Sequence, residues 1–237
     1  MISLTLSVAL ISAPVTPGAL VSKMFARYAN ADKFSGSIQF KQTGADRTLT
    51  ISTLVQAERQ HKLYIKQTRP DTKQTSIVVA DGTMFTYEMP DSIAKRGSDR
   101  LYELQNQRGV VYNVGDIYTI GLPGLLDRSP VLDTLIAKTE HLRYVRGQIV
   151  NLAWKDGDGP EVGKNGVVVG DWRAYQNAPV SGKFAVTITP EGDLLNWNLK
   201  EYVAVPGQKP ILVTSDWAVN VKVGDAGNQT LFRVVRK

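Results

Sequence analysis

Thr75-Ser76-Ile77-Val78-Val79-Ala80-Asp81-Gly82-Thr83-Met84-Phe85-Thr86-Tyr87-Glu88-Met89-Pro90-Asp91 reads as one β-hairpin. Ile77, Val78 and Val79 form a β-branched run suited to a pleated surface. Asp81-Gly82 is a turn pair that tolerates positive φ and matches the twist of a tight hairpin. Residues 84–87 supply the returning strand, with Phe85 and Tyr87. Pro90 has no N–H to donate and ends the ladder.

The same rhythm extends in both directions. Upstream, Ile38 and Phe40 alternate with polar residues, and 43–46 is a turn. Leu49, Ile51, Thr53 and Val55 follow on one face, then Leu63-Tyr64-Ile65 and the turn Arg69-Pro70-Asp71. Downstream, 92–99 is a charged loop before a short strand at 100–105. Strands are expected again at 142–145, 148–154, 182–189, 193–205, 211–223 and 231–235, with loops at 155–166 and 190–193. Two stretches break the period of two. Residues 19–34 place Leu20, Met24, Tyr28 and Ala31 at helical spacing. Residues 116–138 hold a dense apolar set interrupted by Gly121, Pro123, Gly124 and Pro130. They read as two short helices, the second capped by Ser129. The expectation is an α+β, mostly β fold. A curved antiparallel sheet forms an unclosed barrel, with an N-terminal helix and short helices covering its concave face.

Residues 1–13 have the length and apolarity of a signal-peptide core and are too short to span a bilayer. No Lys or Arg precedes the apolar run, and the alternation of Ile2, Leu4, Leu6 and Val8 is also that of a first strand. The division expected is 1–18 as signal peptide and spacer, and 19–237 as a single domain. An exported, periplasmic protein follows. With no cysteine it carries no lipid anchor of the bacterial kind, no disulfide and no thiolate site.

The chain has 28 Lys and Arg against 22 Asp and Glu, for a net charge of +6. This excess is dispersed, with Lys95-Arg96 its longest run and no interleaved stacking aromatics, which argues against a nucleic-acid partner. At 43% hydrophobic and 21% charged, the chain has the balance of a globular domain. No other segment is apolar enough to be a transmembrane segment, and a monomer is expected.

In order, these features resemble the outer-membrane lipoprotein carrier superfamily, the LolA/LolB-like half-barrels. A short helix leads into Phe34-Ser35-Gly36-Ser37-Ile38-Gln39-Phe40. A strand pair ends at Arg69-Pro70-Asp71, and the Asp81-Gly82 hairpin with its Tyr87 and Pro90-Asp91 flank follows. The match covers roughly residues 20–140. The resemblance implies an apolar cavity between sheet and helices that takes lipid or lipoprotein acyl chains. It also allows an envelope protein partner. The residues expected to line that cavity are Ile38, Phe40, Ile51, Leu63, Ile65, Ile77, Val79, Phe85, Tyr87, Leu122, Leu125, Leu126, Leu132 and Ile136. Where the carriers place an arginine before the hairpin, this chain has Tyr64, with Arg59 and Lys66 out of register. The alternative reading on the same fold is a non-enzymatic envelope sensor or protein-interaction module.

Catalytic chemistry has no foothold in the sequence. His61 and His141 have no ligand-spaced partners. Asp156-Gly157-Asp158-Gly159 with Glu161 lacks the spacing of a calcium loop and reads as a hairpin turn. No nucleophile elbow, phosphate loop or dinucleotide fingerprint appears, so neither cofactor nor metal is expected. Trp154, Trp172, Trp197 and Trp217 are read as packing residues. The apolar insert either lines a ligand cavity or plugs the sheet.

Overall fold

Thr16 sets the start of the first helix, α1 (Pro17–Ala29). Its hydroxyl accepts from Ala19 N at 3.2 Å, and Pro17 takes the first helical position, where a missing N–H costs nothing. The helix therefore begins inside the stretch expected to be spacer, and it ends at Asn30. Phe34 belongs to the following strand instead. Leu20, Val21, Met24 and Tyr28 form its buried stripe. Each contributes about 1.5–3 kcal/mol by leaving water. The computed structural model describes residues 14–88, 102–103, 116–126, 149–173, 179–204, 207 and 209–234. The segment 1–13, the strand expected at 142–145 and the Ser129-capped helix lie outside these residues.

Among the described residues, eleven strands make one antiparallel sheet. The first six are β1 (Lys33–Gly44), β2 (Arg47–Glu58), β3 (Lys62–Thr68), β4 (Thr75–Asp81), β5 (Met84–Glu88) and β6 (Tyr102–Glu103). The rest are β7 (Ile149–Trp154), β8 (Gly166–Arg173), β9 (Val180–Ile188), β10 (Leu194–Val203) and β11 (Ile211–Val223). The order across the sheet is β6-β5-β4-β3-β2-β1-β11-β10-β9-β8-β7, with β6 and β7 at its two edges. Two meanders are thus joined where β11 pairs with β1, from Phe34 opposite Val223 to Gly44 opposite Val213. Two short helices, α2 (Asp116–Thr119) and α3 (Leu122–Leu126), complete the covering layer. The molecule is mostly β, with an unclosed sheet and helices against one face, as the alternation of the sequence implies.

The opening hairpin forms as read, with one refinement. Gly82, at φ 101°, and Thr83 make the bend, while Asp81 acts from the end of β4. Asp81 Oδ1 accepts from Thr83 N at 2.9 Å and Met84 N at 2.8 Å. A side chain at Gly82 would stand 2.7 Å from Gln60 O, so this bend packs against the β2–β3 turn.

Two elements differ from expectation. β8 is a full strand in a region read as having none; Val167-Val168-Val169 supply its β-branched start. Gly170 interrupts that pattern because the Phe184 ring occupies the space a Cβ would need, 2.4 Å away. The strand expected at 231–235 is instead a 3-10 turn, Gln229–Phe232. Asn228 Oδ1 accepts from Thr230 N at 3.1 Å, and Gln56 grips the Asn228 backbone through both N–H and C=O. These local bonds compete successfully with a sheet ladder.

Candidate functional site

The register decides which face of the sheet is buried. Phe34, Ile38 and Phe40 of β1 share a face with Ile51, Val55 and Ala57 of β2. Leu63 and Ile65 of β3, Val78 and Ala80 of β4, and Phe85 of β5 continue it. The second meander completes the wall with Trp172, Phe184, Val186, Trp197, Leu199 and Trp217. Phe40 lies at the joint, its ring centroid 5.0 Å from that of Trp217 and 5.1 Å from that of Tyr118.

Two helical layers cover this concave face along the strand direction, and a third stretch is open. At one end sits α1. Tyr28 OH accepts from Leu194 N at 3.1 Å, and burial pushes the phenol up to about 12. The middle is covered by α2 and α3, and every residue from 120 to 126 is buried. Ile120 and Gly121 turn the chain between these helices at φ 57° and 66°. A β-branched residue there is strained by an amount on the order of 1–3 kcal/mol. On the buried face of the sheet, Thr53 Oγ1 and Trp197 Nε1 have no hydrogen-bond partner.

At the other end the face opens. A cleft of about 410 Å³ lies between Gln42 and Gly44 of β1, Arg47 and Leu49 of β2, Arg69, and Val203, Ile211 and Val213 of β10 and β11. Its floor is aliphatic and its rim is cationic. Arg69 is held to Asp71 at 2.8 Å, and that contact keeps the Asp71 carboxyl below the ordinary carboxylate range. Gln42 Nε2 donates to Ser215 Oγ at 3.0 Å, closing the inner wall. A second cleft, about 530 Å³, lies outside this face between Val15 and Leu20 near the start of α1 and the loop of residues 159–164.

The residues expected to line a cavity divide three ways. Ile38, Phe40, Ile51, Leu63, Ile65, Phe85, Leu122, Leu125 and Leu126 come together in one buried cluster. Ile77 and Val79 do not join them. Val78 and Ala80 are the buried residues of β4, because they pair with Ile65, Leu63 and Phe85. The β4 run is apolar at both parities, so its alternation left the face undecided. Leu132, Ile136 and the side chain of Tyr87 lie outside the described residues. None of the nine clustered residues lines the open cleft, whose walls were not singled out in the sequence. The signal was present in Val203, Ile211 and Val213, which alternate with exposed neighbours near the β10–β11 connection.

Among the described residues, no group of three or more His, Cys, Asp or Glu could hold a metal ion, and no helix is long and apolar enough to cross a membrane. No family model matches the chain, and no curated protein sequence matches it. Solved structures with a similar arrangement include a LolA superfamily protein from Nitrosomonas europaea, at 11% identity and TM-score 0.33, over 92% of this chain and 98% of that one. They include MucB, at 12% identity and TM-score 0.39, over 91% of this chain and 62% of that one. A third is an outer-membrane lipoprotein-sorting protein domain from Vibrio parahaemolyticus, at 8% identity and TM-score 0.31, over 90% of this chain and 95% of that one.

Proposed function

We propose that this protein is an extracytoplasmic binding protein that holds the acyl chain of a lipid or lipoprotein at the open end of its concave face. The supporting observation is the cleft itself. Leu49, Val203, Ile211 and Val213 give it an aliphatic floor, and Arg47 and Arg69 stand at its rim. That pairing suits an amphiphile with an anionic head. The volume falls within the roughly 300–1,000 Å³ of small-ligand sites. Each methylene withdrawn from water contributes about 0.8 kcal/mol.

The filled middle of the face favours a second reading, a protein-interaction module whose sheet is plugged by its own insert. The two separate in one experiment. The purified protein is titrated with a fluorescent fatty acid, which is then displaced with unlabelled fatty acid, and the protein from its native host is weighed by native mass spectrometry. Saturable, displaceable binding supports the acyl-chain reading. An absence of both binding and co-purified lipid ends it and leaves the interaction module.

A further inference from the structure

We infer that the end of the sheet bearing the β10–β11 connection docks on the surface of an anionic lipid bilayer. Four apolar side chains are exposed there. Tyr202 and Leu212 face each other as register partners on the convex side, 64% and 47% exposed. Val203 is 39% exposed, and Val180, which opens the neighbouring β9 at the same end, is 45% exposed. Clustered exposed apolar groups on one rim mark a surface that is covered in use.

The charge at this end identifies the cover. Its described turns and strand ends carry Arg47, Arg69, Lys73, Arg173 and Lys209 against Asp46, Asp71 and Glu88. Asp71 is already engaged by Arg69. The opposite end is close to neutral as a whole, and two of its loops are acidic. Its β7–β8 and β9–β10 loops hold Asp156, Asp158, Glu161, Glu191 and Asp193 against Lys155 and Lys164. Exposed apolar residues also stand at the opposite end, in Val15, Val162 and Leu195, but there they lie beside the acidic β7–β8 and β9–β10 loops rather than beside cations. Apolar tips set into the headgroup boundary and cations beside them are the two signals that together hold a protein on an anionic bilayer. This inference stands apart from the acyl-chain reading, since Tyr202, Leu212, Lys73 and Lys209 do not line the cleft.

The test is co-sedimentation of the full chain with vesicles of phosphatidylcholine alone and of phosphatidylcholine mixed with phosphatidylglycerol. Binding is expected only to the anionic vesicles and is expected to weaken as salt is raised. Lys73→Gln combined with Lys209→Gln should weaken it roughly 30-fold, at about 1 kcal/mol per charge. Tyr202→Ser combined with Leu212→Ser should weaken it about tenfold or more. Lys155→Gln with Lys164→Gln, at the other end, should leave it unchanged. All four positions of the first two variants are exposed, and circular dichroism confirms that each variant is folded. Equal binding to both vesicle types, binding to neither, or indifference to the first two variants would overturn the inference. Val213→Phe, which fills the cleft, should still sediment, and the Tyr202/Leu212 variant should still take a fatty acid in solution, so the two readings fail separately.

Discussion

Trp172 donates its Nε1–H to Glu201 Oε2 at 3.2 Å, over the top of a strand that lies between them. Both residues pair with Gly182 of β9, Trp172 from β8 and Glu201 from β10. Gly182 makes the bond available. A Cβ there would stand 2.2 Å from Lys200 O and 3.0 Å from both Cα and Cβ of Glu201. Trp172→Phe removes the donor from a buried carboxylate and should cost about 1–3 kcal/mol in urea unfolding. Glu201→Gln keeps an acceptor in place and should cost less. Gly182→Ala should destabilise by about 1–3 kcal/mol through overpacking, although it removes no hydrogen bond.

Arg59 fastens the end of α1 to the β2–β3 turn. Its Nε donates to Ala31 O and its Nη2 to Ala29 O, each at 3.0 Å, and its own N–H reaches Asp32 O at 2.8 Å. The cation thus meets carbonyls that a helix end leaves without intrahelical partners. Arg59→Ala should lower stability by about 1.5–3 kcal/mol in chemical denaturation. Arg59→Lys should recover only part of this, because an ammonium cannot span both carbonyls as the planar guanidinium does.

Tyr28 makes stability depend on alkaline pH. Its folded pKa, about 12, lies above the model-peptide value of 10.0 because burial disfavours the phenolate. The folded state therefore holds this proton after the unfolded chain has lost its own. The contribution is complete below pH 10 and is lost as pH rises towards about 12, amounting to roughly 2–3 kcal/mol. Stability measured from pH 9 upward should fall more steeply for the native sequence than for Tyr28→Phe. The variant starts lower, because Leu194 N loses its acceptor. Parallel pH profiles would disprove the assignment.

Filling the open cleft should separate binding from folding. Val213→Phe should weaken a fatty-acid probe about tenfold or more with little change in unfolding midpoint, since Val213 is only partly buried. Arg47→Gln should weaken a fatty acid about fivefold and a long-chain alcohol hardly at all, as a partly exposed ion pair is worth up to about 1 kcal/mol. Leu126→Ala, within the covering segment, should instead cost about 2–5 kcal/mol of stability. Fluorescence titration and thermal unfolding on the same variants check both halves.

The elements legible in the sequence were those set by local chemistry. The β4–β5 hairpin follows from Asp81-Gly82, α1 from its spaced apolar stripe, and β1 to β3 from strict alternation. Pairings between distant strands were not legible. Nothing local in Ile38 or Phe40 says that Val219 and Trp217 lie opposite. Where both parities are apolar, as in Ile77-Val78-Val79-Ala80, the partner strands choose the face. β8 escaped notice because Gly170-Asp171 breaks its run of valines, although the glycine is there for the Phe184 ring. The family resemblance drew attention to the first half of the chain. The cleft draws most of its aliphatic floor from the second, through Val203, Ile211 and Val213.

The pairing of β1 with β11 also governs when the molecule can form. Phe40 and Trp217 meet at the centre of the core, yet the chain between them includes both covering helices and all of β2 to β10. Hairpins on either side can close early, since their loops are short. The seam that unites them must wait for the last strand and bear the entropy of closing a very long loop. Until then one long edge of β1, with Ile38 and Phe40, has no neighbour and offers a template for pairing with other chains. The slow step in folding is therefore expected to be the arrival of β11 rather than the formation of any single hairpin. A chain that emerges from its N-terminus during synthesis would hold that edge open until the seam closes.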